Sequence, residues 1–495
     1  MKNIFRISLL ALFIGTVSCE DATDIIQESE LSEDVAYQTV DDLRSGLIGV
    51  YAAYGPDSGG NGAGNSVLFN DLFTDNLKRG ASSSGQGNQV YSFIMQPGTG
   101  FPTSIWGSRY SVINFANRVL RAWDRIYPTL ETEAERNDAN EIKAQLLAMR
   151  GFMHFELLQY FAPSYTDLSQ PGVIIMDFVP EITQVFPRNT VGEVFTFVDG
   201  DLAQAAQLMG DTFDTYESYS SADLEEVFYI NPDVIKAMQA RVALFEGNYG
   251  VAETLANELV QAHPLAELQA YQNMFLSDDL SVSEQIWSLS RRLGNNRLVA
   301  LYAANGAGGD GSPFFEMSNG LYNLLSNNDV RKLVLYFGDE SEFVATDSPE
   351  NFLLIGKYQG TPDGAQINDF KVFRSSEMQL IKAECEARGG NLTAAANSIK
   401  ALRDKRYIND APAPVYANLD AALTDILLER RLELAFEGHR YLDLKRLNRG
   451  ISRNGTDCAS FSAPCELNPG DYRFTLPIPN TEISANPTIE QNPGY

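Results

Sequence analysis

The sequence contains few of the residues that most often bind metals or act as catalytic bases. Its 495 residues include three histidines and four cysteines. His154, His263 and His439 are far apart, so we expect each to be a packed or surface histidine. The sequence also has no G-x-S-x-G, H-E-x-x-H or Walker motif. We therefore expect no catalytic residues, no metal and no cofactor.

Basic residues are scarce relative to acidic ones. The chain has 37 lysines and arginines against 65 aspartates and glutamates, which gives a formal net charge of -28. An acidic surface repels nucleic acid and anionic lipid head groups. We therefore expect no nucleic acid partner.

Long apolar runs are absent except at the amino terminus. Residues 1–18 have two basic residues, then the apolar run from Ile7 to Val17, then small residues. This order predicts a secretory signal, and the run is too short for a spanning helix. No later run is long enough to cross a bilayer.

Cys19 directly follows this segment. The residues before it, Thr16 to Ser18, resemble the lipobox of bacterial lipoproteins, in which the cysteine becomes lipidated after cleavage. Acidic residues follow, so we interpret residues 19–32 as a polar tether between a lipid anchor and the body. The alternative is a soluble exported protein with one unpaired cysteine.

The other three cysteines lie in the second half of the chain. Cys385 falls in a helical pattern, which predicts a buried thiol. Cys458 and Cys465 flank a short loop of an exported chain, so we expect a local disulfide between them. The absence of a nearby histidine argues against a zinc site.

Helical periodicity recurs along the chain. Apolar residues at spacings of three and four predict helices over Glu33–Tyr54, Trp106–Arg125, Glu141–Phe161 and Thr190–Met209. Thr190 followed by Glu193 predicts a capping box at the start of the last of these. Trp106 and Trp287 stand in regular segments, and we expect both in the core.

Two stretches of the sequence repeat each other. The matching pairs are Ala240 and Ala383, Gly247 and Gly390, Asn248 and Asn391, Tyr249 and Leu392, and Ala252 and Ala395. Both stretches resemble the tetratricopeptide core, in which a small residue before the turn glycine lets two helices approach. We therefore predict a mostly α fold, a tetratricopeptide-like helical-hairpin solenoid with large irregular loop insertions.

The stretch from Glu429 to Arg446 is the most specific signal in the sequence. Apolar residues recur at helical spacing, and opposite charges alternate at spacings of three and four. We predict one amphipathic scaffold helix with charges paired along it. Gly438 lowers helix propensity and predicts close approach by a neighbouring backbone.

This stretch resembles the signature of the SusD/RagB family of surface nutrient-binding lipoproteins. The matching residues are Arg430, Arg431, Glu433, Leu434, Glu437, Gly438, Arg440, Tyr441, Asp443, Leu444 and Arg446. The proline-rich ending also matches that of the family. We expect a SusD-like N-terminal region over residues 33–230 and a SusD/RagB C-terminal region over 231–495, in one structural unit.

The resemblance implies a protein anchored in the cell outer membrane and exposed at its surface. It implies an oligosaccharide ligand and a SusC-like TonB-dependent transporter as partner. A peptide-binding uptake protein of the RagB type is the alternative, and an enzyme that degrades the same polymers is a third possibility. The family scaffold is a binding platform, so we expect no enzymatic activity.

Sugar binding requires aromatic rings and polar side chains on braced loops. Two segments have this composition, and for each residue in them the alternative is packing against the scaffold. In the segment from Asn65 to Phe101 the candidates are Phe69, Asn70, Asp71, Tyr91 and Phe93. In the segment from Arg297 to Tyr322 they are Tyr302, Asn305, Asp310, Phe314, Phe315 and Tyr322.

Overall fold

The computed structural model describes most of the chain beyond the amino-terminal segment. The described residues are 33–54, 66–80, 82–210, 226–291, 313–345, 347–358, 360–361, 364–365, 367–459 and 463–495. The signal segment, Cys19 and the tether lie outside them. None of the helices in the described ranges is both long and apolar enough to span a membrane.

Helices dominate the described residues. In the first half they are α1 (Glu33–Ala36), α2 (Val40–Ala53), α3 (Ser66–Leu72), α4 (Asn88–Tyr91), α5 (Gly100–Ile126), α6 (Glu133–Phe161) and α7 (Val191–Met209). The central ones are α8 (Pro232–Glu246), α9 (Tyr249–Ala262), α10 (Leu268–Leu276), α11 (Asn319–Tyr322) and α12 (Arg331–Leu335). The last are α13 (Ser375–Arg388), α14 (Leu392–Asp404), α15 (Leu419–Glu433), α16 (Arg440–Arg446), α17 (Gly455–Ala459) and α18 (Asn480–Ala485).

The strands are short and form antiparallel pairs. They are β1 (Leu77–Arg79), β2 (Gln285–Leu289), β3 (Phe315–Met317), β4 (Tyr336–Phe337), β5 (Leu354–Ile355), β6 (Gly360–Thr361), β7 (Gly364–Ala365), β8 (Phe370–Arg374), β9 (Ile451–Ser452) and β10 (Glu466–Leu467). The pairs are β1 with β3, β2 with β8, β4 with β5, β6 with β7 and β9 with β10. Most of these strands lie in the segment between the two repeats.

The two repeats form helical hairpins with the same turn. Gly247 and Gly390 have φ values of 86° and 84°, in the left-handed region that favours glycine. At matching positions, the Asn248 N–H donates to the Ala243 carbonyl over 2.8 Å, and the Asn391 N–H donates to the Glu386 carbonyl over 2.9 Å. The predicted tetratricopeptide-like hairpins are confirmed as α8–α9 and α13–α14.

The hairpins continue a row of packed helices. Helix α2 packs on α5, α5 on α6, α6 on α7, α7 on α8 and α8 on α9. Helix α9 then packs directly on α13, although a long segment separates the two in the chain. The predicted capping box is present, since Thr190 and Glu193 bond each other's backbone N–H. Trp106 and Trp287 are buried, as expected.

The stretch from Glu429 to Arg446 is not one helix, so that prediction was wrong. Helix α15 ends at Glu433 and α16 begins at Arg440. Between them, Phe436 and Gly438 have φ values of 64° and 87°, which no α-helix allows. Periodicity alone did not reveal this turn.

The charges of this stretch pair mainly with other elements rather than along one helix. Glu433 bonds Arg374 at 2.9 Å, Arg406 at 2.9 Å and Arg331 at 3.5 Å. All four side chains are buried. Glu437 bonds Arg374 at 2.7 Å and Lys357 at 2.6 Å. This buried ionic network ties the segment between the hairpins to the end of α15.

Candidate functional site

The two segments singled out in the sequence meet in the structure. Strand β1 belongs to the first and β3 to the second, and they pair with Leu77 opposite Met317. The Gly80 N–H donates to the Phe314 carbonyl over 2.9 Å. The rings of Tyr91 and Phe315 are 5.9 Å apart. The sequence therefore indicated two neighbouring parts of one region.

The candidates in the first segment are interior residues. Phe69, Asn70, Asp71, Tyr91 and Phe93 are all buried. The Asn70 amide donates to the Tyr160 hydroxyl over 2.6 Å, and the Tyr91 hydroxyl donates to the Asp457 carbonyl over 2.8 Å. Their expected role at a surface is corrected here, because no ring face or polar group is open to a ligand. These residues instead pack inside the protein, which was the alternative interpretation of the sequence.

The second segment is only partly described. Tyr302, Asn305 and Asp310 lie outside the described residues. Phe315 is buried in β3, which corrects its expected exposure. Phe314 and Tyr322 are half-buried and keep part of their rings at the surface.

Tyr322 belongs to a cluster of three rings beneath the β4–β5 pair. Its ring centroid lies 5.2 Å from that of Tyr336 and 5.4 Å from that of Phe343, in edge-on geometry. Tyr336 and Phe343 are also in contact, at 6.0 Å. Edge-on contacts stabilise such clusters. The cluster supports the inner face of β4.

The outer face of the same pair is exposed and apolar. Phe337 of β4 lies opposite Leu354 of β5. Burial alternates from Asn351 to Ile355, which places Phe352 and Leu354 on the outer side. Phe352 comes two residues before Leu354, the partner of Phe337, and this alternation places it on the same side. We call Phe337, Phe352 and Leu354 the aromatic platform.

The platform is open to solvent. Phe337 is 56% exposed and Phe352 is 47% exposed. The exposed carboxylates of Asp339 and Glu350 stand close by in the chain. Exposed rings beside carboxylates suit a ligand with both C–H faces and hydroxyls. These rings lie beyond Tyr322 and were not among the predicted candidates, because the residues from Phe352 to Ile355 are all apolar and their sequence shows no alternation.

Charged groups brace the elements around the platform. The Lys332 ammonium bonds the Glu340 carboxylate at 2.6 Å and the Asn327 side-chain oxygen at 2.7 Å. The pKa of Glu340 is lowered most by the hydrogen bond from Lys332, and the hydrogen bond from Tyr322 is the second cause. Burial is the main cause of the raised pKa of Tyr322, and the hydrogen bond to Glu340 is the second cause. Tyr322 therefore stays a neutral donor and Glu340 an anion at neutral pH.

A disulfide lies next to α11, because Cys458 belongs to α17, which packs on α11. Cys458 and Cys465 are bonded to each other, and the Cys385 thiol is free and buried. The Asp457 carboxylate accepts bonds from the Asn319 N–H at 3.0 Å and the Gly320 N–H at 3.1 Å. Asp457 of α17, next to the bridged Cys458, therefore holds the start of α11, the helix that contains Tyr322.

The described residues contain no group of three histidine, cysteine or acidic side chains that could hold a metal ion. His154 is buried between the Arg150 carbonyl and the Met176 N–H. Burial lowers the pKa of His154 to about 3 and that of His439 to about 4. Both are neutral at pH 7.

Two family models match the chain. One, described as the SusD family, matches residues 355–495. The other, described as starch-binding associating with outer membrane, matches residues 27–222. Two SusD-like proteins of Formosa agariphila, P38 and P2, are 22% and 23% identical. These alignments cover 100% and 99% of this chain and 99% of each relative.

Solved structures share the fold. A SusD superfamily protein from Bacteroides thetaiotaomicron superimposes with a TM-score of 0.76 at 23% identity, covering 92% of this chain and 100% of that one. A SusD-like carbohydrate binding protein from Bacteroides vulgatus gives 0.75 at 21% identity, covering 92% and 98%. The chain belongs to the SusD/RagB family, and its mostly helical, tetratricopeptide-like fold is that of the family.

Proposed function

We propose that this protein is a lipid-anchored outer-membrane protein that binds oligosaccharides and delivers them to a SusC-like TonB-dependent transporter. The match to the outer-membrane starch-binding family model supports it. The relative from Bacteroides vulgatus described as carbohydrate binding supports it too. The anchor would be a lipid on Cys19, and the tether would let the body move above the membrane.

The observation that carries this proposal is the aromatic platform. Two exposed rings on one sheet face offer apolar surface to the C–H faces of successive sugar units. The buried network around Glu433 fixes α12, which leads directly into β4. Bracing of the strand that carries Phe337 would reduce the conformational freedom lost on binding. Such binding makes and breaks no covalent bond. The proposed function is therefore capture and delivery of the oligosaccharide, not catalysis.

Isothermal titration tests this proposal. The purified protein without its signal segment is titrated with neutral and acidic oligosaccharides and with peptides of similar length. We expect micromolar to millimolar binding of at least one oligosaccharide and none of the peptides. Binding of peptides alone would favour uptake of the RagB type instead. Release of shorter sugars during the titration would show an enzyme.

A further inference from the structure

Three arginines form a row on the exposed side of α5. Arg118, Arg121 and Arg125 follow one another at spacings of three and four, which places them on one face of the helix. Their side chains are 41%, 55% and 41% exposed. We call them the arginine row. On a chain with a formal net charge of -28, this row is a local surface of opposite sign.

The arginine row contacts the first helix of the described chain. The Glu33 carboxylate lies between the guanidinium groups of Arg118 and Arg121, and it accepts a hydrogen bond from Arg121 Nε over 3.1 Å. The Asp34 carboxylate pairs with Arg125 at 3.0 Å. These ion pairs hold α1 against α5.

Apolar packing adds little to this contact. None of the four residues of α1 is buried, and Val35 is 56% exposed. Tyr37 follows α1 directly, and its ring packs against the core beside Gly46. The Tyr37 carbonyl also accepts a hydrogen bond from Arg125 over 2.8 Å. Packing therefore fixes the chain at Tyr37, whereas exposed ion pairs hold α1 itself.

Exposed ion pairs are weak and sensitive to salt. Each one contributes little, and at physiological ionic strength exposed charges are screened beyond about 8 Å. The pairs of Glu33 and Asp34 both hold the same short helix, so they break together when that helix detaches. Added salt therefore acts on all of them at once.

We propose that the arginine row and α1 form a salt-sensitive clasp at the end of the tether. With the clasp closed, the tether leaves the body at α5. With the clasp open, it leaves at Tyr37, and the four residues of α1 add about 14 Å of extended chain. The clasp sets how far an anchored body reaches. This consequence for reach rests on the proposed lipid anchor, whereas the clasp itself does not.

Spin labelling tests the clasp in the purified protein without its signal segment. A nitroxide is attached at Val35→Cys in the Cys19→Ala background, in which Cys385 is buried and the other two cysteines are bonded to each other. Electron paramagnetic resonance measures the mobile fraction of the label. Raising the salt from about 0.05 M to about 1 M shortens the screening length to about 3 Å, so the mobile fraction should rise about threefold or more.

A second label controls for direct effects of salt. Ile48 is 45% exposed on α2, a helix that buried residues hold to the body. A nitroxide at Ile48→Cys should therefore keep the same mobility at both salt concentrations.

Glu33→Gln tests the ion pairs themselves. A neutral amide cannot form ion pairs with Arg118 and Arg121, so the mobile fraction at low salt should rise about threefold and respond less to added salt. Asp124→Asn is the matched control, because it removes an exposed carboxylate from α5, between Arg121 and Arg125, and changes the net charge equally. The label should stay immobile in this control. Unchanged melting temperatures would show that both variants keep the fold.

The two proposals fail differently. A label that stays immobile at high salt or in Glu33→Gln would overturn the clasp, and so would a label that is already mobile at low salt in the unmodified background. These results do not depend on lipidation or on sugar binding. Membrane association that persists in Cys19→Ala would count against the proposed anchor and leave the clasp in place.

Discussion

Glu433→Gln is expected to destabilise the protein by removing the centre of the buried ionic network. Glu433 bonds three buried arginines, Arg331, Arg374 and Arg406. Removing one partner of a buried ion pair costs about 3 to 5 kcal/mol. Each arginine keeps another carboxylate, for example Glu429 for Arg331 at 2.6 Å. We therefore expect a loss of about 3 kcal/mol, at the lower end of that range.

Urea unfolding followed by circular dichroism measures this loss. The matched control is Asp404→Asn, which removes one partner of the pair between Lys400 and Asp404 on the surface of α14. Surface pairs contribute less than about 1 kcal/mol, so the control should change little. A loss below about 1 kcal/mol in Glu433→Gln would refute the view that the network stabilises the fold.

The stability lost in Glu433→Gln should decrease as the pH falls. Burial alone would raise the pKa of Glu433, but Arg406 and Arg374 outweigh it and hold the pKa well below the usual 4.5. A carboxyl with a lowered pKa adds stability above its unfolded pKa and loses it as the pH falls through the folded one. The difference between wild type and Glu433→Gln should therefore be complete at pH 7 and shrink below about pH 4.5.

Two further predictions concern Asp71 and Cys19. Burial raises the pKa of Asp71 from 3.8 to about 7, so the wild type loses stability as the pH rises between these values. Asp71→Asn should raise the free energy of unfolding at pH 8 by up to about 4 kcal/mol and add nothing at pH 4, which urea titrations at both pH values would show. Cys19→Ala should move the protein from the membrane fraction to the soluble fraction, and equal membrane association of the variant would contradict lipidation.

Much of the fold could be predicted from the sequence because its signals are local. The turns at Gly247 and Gly390 follow from a glycine, an asparagine and a small residue at fixed spacing, and both hairpins formed as expected. The break after Glu433 could not be predicted in this way. There the Glu433 carbonyl accepts hydrogen bonds from Lys357 and Arg374, and the Ala435 carbonyl accepts one from Lys357, so the partners of the break lie in segments distant in the chain.

The candidate site was harder to predict than the fold. Composition identified two segments that meet at β1 and β3, but it could not show which rings face inward. Phe69 and Tyr91 are aromatic residues in a segment rich in glycine and serine, and yet both are buried. Phe337 is exposed on the outer side of its pairing with Leu354, and Phe352 lies two residues before Leu354 on the same side. Exposure at a strand pair depends on register, which a single sequence did not reveal.

In the proposed function, the aromatic platform binds the oligosaccharide. The most direct measurement is the affinity of the oligosaccharide identified by titration for Phe337→Ala and Phe352→Ala. Phe115→Ala is the control, since Phe115 is 47% exposed on α5, away from the platform. Loss of one stacked ring should weaken binding about fivefold to fiftyfold, with no change in the control. Wild-type affinity in both platform variants would show that the platform does not bind the oligosaccharide.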